Sequence, residues 1–220
     1  MKYVERAAQS SAFKMAKNTK ELGAMQQTKS SVTRGVIGID EVGRGAWAGP
    51  LLVVAARAKT TLPMGLKDSK VLSKKKREEL LSSLLEPCDF GEGWVQPAEI
   101  DSLGLTNAMQ LAVSRALAGL KADYNDEIIM DGTINYCDQQ FTNVSCIARA
   151  DATHPIVSAA SIYAKVIRDN KMAELSLVFP GYGFESHVGY GTKVHADALK
   201  LLGVNKLHRL SYKPVRAYIS

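Results

Sequence analysis

The period of the apolar positions changes several times along the chain, and each change marks an element. Val36, Ile37 and Ile39 form a β-branched run of the kind that fills a buried strand. A glycine-rich stretch follows, then a second apolar run from Leu51 to Ala58, so residues 35–58 predict a hairpin. Ser73 suits the cap of a helix over Lys74–Leu85, whose Leu80, Leu81, Leu84 and Leu85 share one side. Phe90–Val95 predicts a third strand. Met109, Val113, Ala116, Leu117 and Leu120 recur at helical spacing, which predicts a helix from Thr106 or Asn107 to Leu120 with a core face. Glu127–Asp131 and Asn143–Ala148 read as short strands. Pro155 fits the first turn of another helix, capped by Thr153 or His154, and Ala159, Ala160 and Ala164 let its Ile156–Lys171 span pack closely on a sheet. Strands alternating with helices argue for an α/β fold.

Length and charge narrow this picture. A chain of 220 residues suits one domain, or one domain with a smaller appendage. No apolar run is long enough to span a bilayer, so no membrane association is expected. Cys88, Cys137 and Cys146 are odd in number and lack close paired spacing, which fits a reducing cytoplasm better than a disulfide framework or a zinc site. The net charge of +6 divides as +5 over residues 1–34, −4 over 35–185 and +5 over 186–220. An acidic centre between basic flanks suits a metal-using enzyme acting on a polyanion, although solvated surface charge gives the same totals. Residues 1–34 read as a flexible basic extension, with a mitochondrial presequence as the alternative. Residues 35–185 read as the catalytic domain and 186–220 as a helical substrate-binding region. There Lys193, Lys200, Lys206, Arg209, Lys213 and Arg216 face a lone Asp197, and they are expected to grip phosphates.

The chemistry concentrates in Gly38–Pro50, GIDEVGRGAWAGP. Asp40 and Glu41 fall where the first strand should end. Adjacent carboxylates raise each other's pKa unless a cation neutralises them, and hard divalent cations prefer such oxygens. Gly43 and Gly45 flank Arg44 and free backbone N–H groups for approach to a phosphate or sugar. A dinucleotide-binding loop is excluded, because Pro50 and a β-like run follow where a helix would have to start. Two more acids, Asp131 and Asp151, stand at or just past the ends of later predicted strands. Ser161, Lys165 and Asp169, four apart, drift slowly around one helix face. One acid at a strand end is commonplace; four at three strand ends point to a metal site on the rim of a sheet.

GIDEVGRGAWAGP, LKDSKVLS, IIMDGT, ADATHPIVSAASIYAKVIRD, HVGYGTKVH and HRLSYKPV occur in the order found in ribonuclease HII, a family this chain resembles over roughly residues 35–215. The resemblance implies a ribonuclease H-like fold, a mixed central sheet flanked by helices with a small helical C-terminal region. It implies Mg²⁺- or Mn²⁺-dependent endonucleolytic cleavage of RNA in RNA–DNA hybrids, and incision at single ribonucleotides embedded in duplex DNA, leaving 5′-phosphate and 3′-hydroxyl ends. By the same resemblance Asp40, Glu41, Asp131 and Asp151 bind metal, and Gly43, Arg44 and Gly45 sense the ribose 2′-hydroxyl through their backbone. Tyr190 contacts the ribonucleotide at the RNA–DNA junction, Lys70 binds phosphate, and Asp169 is a recurring aspartate without an assigned role. The expected state is a monomer. Ala46-Trp47 departs from the family's usual Pro and aliphatic residue. The related ribonuclease HIII carries Gly-Thr-Gly where this chain has Arg44 between glycines.

The chemistry is coherent without the resemblance. Two metal ions about 3.5–4 Å apart stabilise both the attacking and leaving oxygens of a phosphodiester displacement, with no nucleophilic Ser, Cys or His required. Telling RNA from DNA means sensing the 2′-hydroxyl. Two rival classes are a nucleic-acid-binding module without catalysis and a transposase- or resolvase-like two-metal enzyme. Acids placed at strand ends disfavour the first, and the Gly-Arg-Gly loop disfavours the second.

Overall fold

Among the described residues five strands make one mixed sheet in the order β3-β2-β1-β4-β5. The computed structural model describes residues 35–66 and 72–219, so the 1–34 extension and Lys70 lie outside the described residues. Strand β1 (Ile37–Val42) runs antiparallel to β2 (Leu51–Ala58), and β2 antiparallel to β3 (Cys88–Val95). Strands β4 (Ile128–Asp131) and β5 (Val144–Ile147) extend the other edge in parallel. Among the described residues the helices are α1 (Lys74–Leu84), α2 (Pro97–Leu120), α3 (Ala150–Thr153), α4 (Pro155–Val178), α5 (Phe184–His187), α6 (Lys193–Leu202) and α7 (Lys213–Arg216). The described residues belong to one unit of packing.

Strand β2 shows why its sequence is a continuous apolar run. Leu51, Val53 and Ala55 join the core under α2, while the alternating Leu52, Val54 and Ala56 join a second core under α1 and α4. A strand covered on both faces favours apolar residues at every position, and all of Leu51–Ala56 are buried. In β1, Gly38 lets α4 come in directly, since a Cβ there would lie 2.5 Å from the Ile156 carbonyl carbon. Any side chain at this position would lift the helix off the strand that carries Asp40. A third core, around Ala48, Met172, Tyr182, Phe184, Ala198, Leu199 and Leu207, ties the C-terminal helices to the loop after β1 and to the end of α4.

Three elements differ from the expectation. Helix α2 begins at Pro97, with the Glu99 carboxylate accepting from the Gln96 N–H at 2.8 Å, and Gly104 at φ 75° breaks it into two segments. The first segment buries only Pro97 and Ile100, too few positions to display a period, so the pattern became visible only after the break. Strand β5 stops at Ile147, and Arg149 in the left-handed region (φ 59°) starts the unexpected turn α3. Helix α4 runs on to Val178, a part in which Leu177 and Val178 are exposed and only Met172 is buried. Ser73 does cap α1, accepting from the Lys76 N–H at 3.3 Å.

Candidate active site

Ile39 pairs with Met130 across the parallel β1–β4 ladder, and both side chains point into the core beneath α2. One residue further, each strand turns a carboxylate to the opposite face, where α4 lies. These are Asp40 and Asp131. Asp151 joins them from α3, and carboxylate oxygens of Asp40, Asp131 and Asp151 all lie within 4.8 Å of one another. The same alternation separates Glu41 from Asp40. Glu41 stays outside that close group yet lines the same cleft.

Main-chain and hydroxyl donors hold the acids in place. The Glu41 N–H donates to Asp40 Oδ1 at 2.8 Å, and the Ala150 N–H donates to Asp131 Oδ1 at 2.7 Å. Ser158 Oγ donates to the Asp151 carbonyl, which fixes α3 against α4. Ser161, also on α4, hydrogen-bonds Asp40. Asp40 is 6% exposed, and burial pushes its pKa from 3.8 up to about 7, opposed by the Ser161 bond and reinforced by Glu41 and Asp131. Charge this crowded is relieved by a cation. The donors are all carboxylate oxygens, which fits a hard divalent ion rather than a soft one.

The cleft in front of the acids has a volume of about 330 Å³ and is lined by Gly43, Arg44, Gly45, Arg77, Ser161, Lys165 and Tyr190 as well as Asp40, Glu41 and Asp131. Arg44 Nη2 donates to the Tyr136 hydroxyl at 3.3 Å, and its Nη1 lies 3.8 Å from Glu41. Lys165 pairs with Asp169 at 2.9 Å one turn further along α4. That pairing gives Asp169 a place: it is the ion-pair partner of a lysine that lines the cleft.

Residues 37–215 match the profile of the family described as Ribonuclease HII. The chain belongs to the ribonuclease HII family. A Ribonuclease HII of Ralstonia nicotianae is 43% identical over 185 residues, covering 81% of this chain and 77% of that protein. Among solved structures, a chain of the PCNA:RNase HII complex from Archaeoglobus fulgidus superposes with a TM-score of 0.69 at 25% identity, covering 84% of this chain and 97% of that one. The ribonuclease H2 from Pyrococcus horikoshii OT3 superposes with a TM-score of 0.68 at 26% identity, covering 83% and 96%. The fold is thus ribonuclease H-like, and the protein is a metal-dependent nuclease that hydrolyses phosphodiester bonds, an endoribonuclease for RNA–DNA hybrids.

Within this ribonuclease HII chain, Tyr190 reaches the cleft from the turn between α5 and α6. Buried histidines hold that turn from behind. His208 Nδ1 accepts from the Asn205 N–H at 3.0 Å, which leaves the proton of the neutral ring on Nε2, 3.1 Å from His195 Nε2. His195 then carries its own proton on Nδ1 and donates it to the Tyr190 carbonyl at 3.0 Å. Burial lowers the pKa of both rings to about 4, so this chain of bonds keeps its direction at neutral pH.

Sequence reasoning misplaced one residue and missed two. Arg209, expected to grip phosphate, is fully buried: its Nε and Nη2 donate to the Gly49 carbonyl and its Nη1 to the Arg44 carbonyl. It shapes the glycine loop from inside. Charge counting cannot separate such an arginine from its exposed neighbours. Arg77, on α1, lines the cleft although nothing in the sequence pattern singles it out, and Arg168 lies unmarked beside Asp169. A fully buried arginine in an Ala-rich helix carries no periodic signal, because its spacing matches that of the apolar face around it.

Proposed function

We propose that the protein incises RNA–DNA hybrids and duplex DNA containing single ribonucleotides by two-metal-ion hydrolysis, leaving 5′-phosphate and 3′-hydroxyl ends. The observation that carries this reading is the shared cleft. Asp40, Glu41, Asp131, the Gly43–Gly45 loop and Tyr190 line one cleft, with Asp151 clustered against Asp40 and Asp131, so a strand whose phosphate meets these acids would lay its sugar against the loop. Asp40, Asp131 and Asp151, with Glu41 at the edge, would hold Mg²⁺ or Mn²⁺. Bound there, a pair of such ions would supply the positive charge that activates water and stabilises the leaving 3′-oxygen. The chain's own groups do the rest. Ser161 and the Ala150 N–H fix the carboxylates, and backbone groups of Gly43, Arg44 and Gly45 meet the 2′-hydroxyl. Tyr190 contacts the junction sugar, and Lys70 binds a neighbouring phosphate.

In this reading residues 35–185 are catalytic, 186–220 bind substrate, and the basic 1–34 extension adds grip. The protein acts as a monomer in the cytoplasm, a setting that suits its free thiols at Cys88, Cys137 and Cys146. Among the described residues no helix is long and apolar enough to cross a membrane. The test is incubation with three duplexes: all DNA, RNA–DNA hybrid, and DNA with one ribonucleotide. Cutting the last two with Mg²⁺ or Mn²⁺, but not the first, is expected. Cutting all three alike would remove the 2′-hydroxyl from the account.

The exposed C-terminal lysines should govern salt dependence. Lys206 is exposed, with its ammonium 5.6 Å from the Phe179 ring centroid. Lys206→Ala should flatten the slope of log affinity against log salt by about one unit. Arg209→Ala should instead lower the melting temperature, since it uncovers the Gly49 and Arg44 carbonyls. A flattened slope for Arg209→Ala with an unchanged melting temperature would contradict its placement inside the loop.

A further inference from the structure

Arg168, on α4, is fully buried and has no part in the chemistry assigned above. Its three hydrogen bonds all go to main-chain carbonyls. Nε donates to Pro50 at 2.9 Å and Nη2 to Ala48 at 3.4 Å, both in the stretch that continues the Gly43–Gly45 loop. Nη1 donates to Val188 at 2.9 Å, in the turn that presents Tyr190. The guanidinium carbon also sits 5.7 Å from the centroid of the Tyr190 ring. On its other side it touches the glycine loop: a Cβ at Gly43, whose φ is +83°, would lie 2.1 Å from Arg168 Nε. One planar fork therefore contacts the loop, its continuation, the tyrosine turn and the tyrosine itself. The two segments meet directly as well, through Trp47 and Ala48 N–H groups that both donate to the Gly189 carbonyl, at 2.8 and 3.1 Å.

We infer that Arg168 is a positioning residue that locks Tyr190 and the Gly43–Gly45 loop into one unit, so that the 2′-hydroxyl and the junction sugar are read together. This rests on the roles proposed above for the loop and for Tyr190. A guanidinium suits the task because its donors diverge in a plane and can reach carbonyls on separate segments, whereas a lysine ammonium is a single point. Burial lowers the Arg168 pKa to about 10, which leaves it charged at neutral pH, so a cation stays over the ring. A solely structural arginine would have no reason to favour one substrate over another. A coupling arginine should matter most where a single ribonucleotide must satisfy both readers at once.

The experiment is a double-mutant cycle of Arg168→Lys and Tyr190→Ala. It reads kcat/KM on the single-ribonucleotide duplex relative to the long hybrid, with melting temperatures recorded throughout. Arg168→Lys is expected to lower that ratio by about fivefold or more in the wild-type background and by less than about twofold when Tyr190 is already Ala. Equal losses in both backgrounds, or equal losses on both substrates, would overturn the coupling. If Arg168→Lys does not fold, Arg168→Gln takes its place in the cycle, because its amide still donates to a buried carbonyl while the charge and the fork are gone. Additivity in that cycle overturns the inference equally. A ratio that Tyr190→Ala alone leaves unchanged removes the junction role of Tyr190 and the coupling with it; a lowered ratio with additivity removes the coupling only.

Discussion

Asp40→Asn should lower metal-dependent cleavage by more than about a hundredfold and at the same time make the metal-free protein more stable. The two effects share one cause. Asp40 is buried beside Glu41 and Asp131, and its pKa stands at about 7 in the folded protein against 3.8 for the free side chain. The fold therefore favours the protonated form. Relative to a permanently neutral side chain, the wild type has its full stability below about pH 4 and loses it progressively as pH rises through about 7. The loss is on the order of a few kcal/mol at pH 8. Asn keeps the size, cannot ionise, and escapes this penalty. In the presence of a chelator, the melting temperature of Asp40→Asn should exceed that of the wild type by about 10 °C at pH 8. The gap should shrink towards zero near pH 4. Thermal melts across that range, paired with cleavage assays in Mg²⁺ and Mn²⁺, check both halves. A variant that keeps full activity, or one that melts lower than wild type at pH 8, would contradict the assignment of Asp40 as a buried metal ligand.

How far the site was legible in the sequence depends on whether a residue's role leaves a local trace. Asp40 and Asp131 were legible because a β-branched run ending in an acid is unusual, and because strands covered on both faces read as uninterrupted apolar segments. Asp151 was legible as an acid but not as part of α3. A four-residue turn started by a left-handed Arg149 has no periodicity to detect, and Arg is not a residue that announces positive φ. The separation of Glu41 from the close acidic group follows from strand alternation, and becomes plain once the β1–β4 register is known. Arg168 and Arg209 were illegible for a deeper reason. Their function is to satisfy carbonyls more than a hundred residues away, at Pro50 and Gly49, and nothing near them in sequence records that. Asp169 lies between. Its spacing from Lys165 was visible, but only the 2.9 Å ion pair gives the spacing a purpose.

Tyr190→Ala should slow cleavage at a single embedded ribonucleotide by about 5- to 150-fold, the equivalent of about 1–3 kcal/mol for a lost sugar or base contact with an aromatic ring, and should affect the long hybrid much less. The ring lines the acidic cleft and has the Arg168 guanidinium over it, 5.7 Å from its centroid. Its main chain is held at both ends independently of the ring, through the Tyr190 N–H to the His187 carbonyl at 2.9 Å and the His195 bond to its own carbonyl. Removing the side chain should therefore leave the turn in place. This is what separates a reading role from packing. If the tyrosine serves only as filler between turn and helix, Ala opens a cavity, lowers the melting temperature and slows both substrates alike. If it reads the junction, the melting temperature barely moves and the loss falls on one substrate. Tyr190→Phe divides the effect further. A contact made by the ring face survives in Phe, while one made by the hydroxyl is lost as fully as in Ala. Measuring kcat/KM for the three proteins on the two duplexes, alongside their thermal midpoints, decides among these outcomes. An equal loss on both duplexes, accompanied by a lower midpoint, would return Tyr190 to the role of filler.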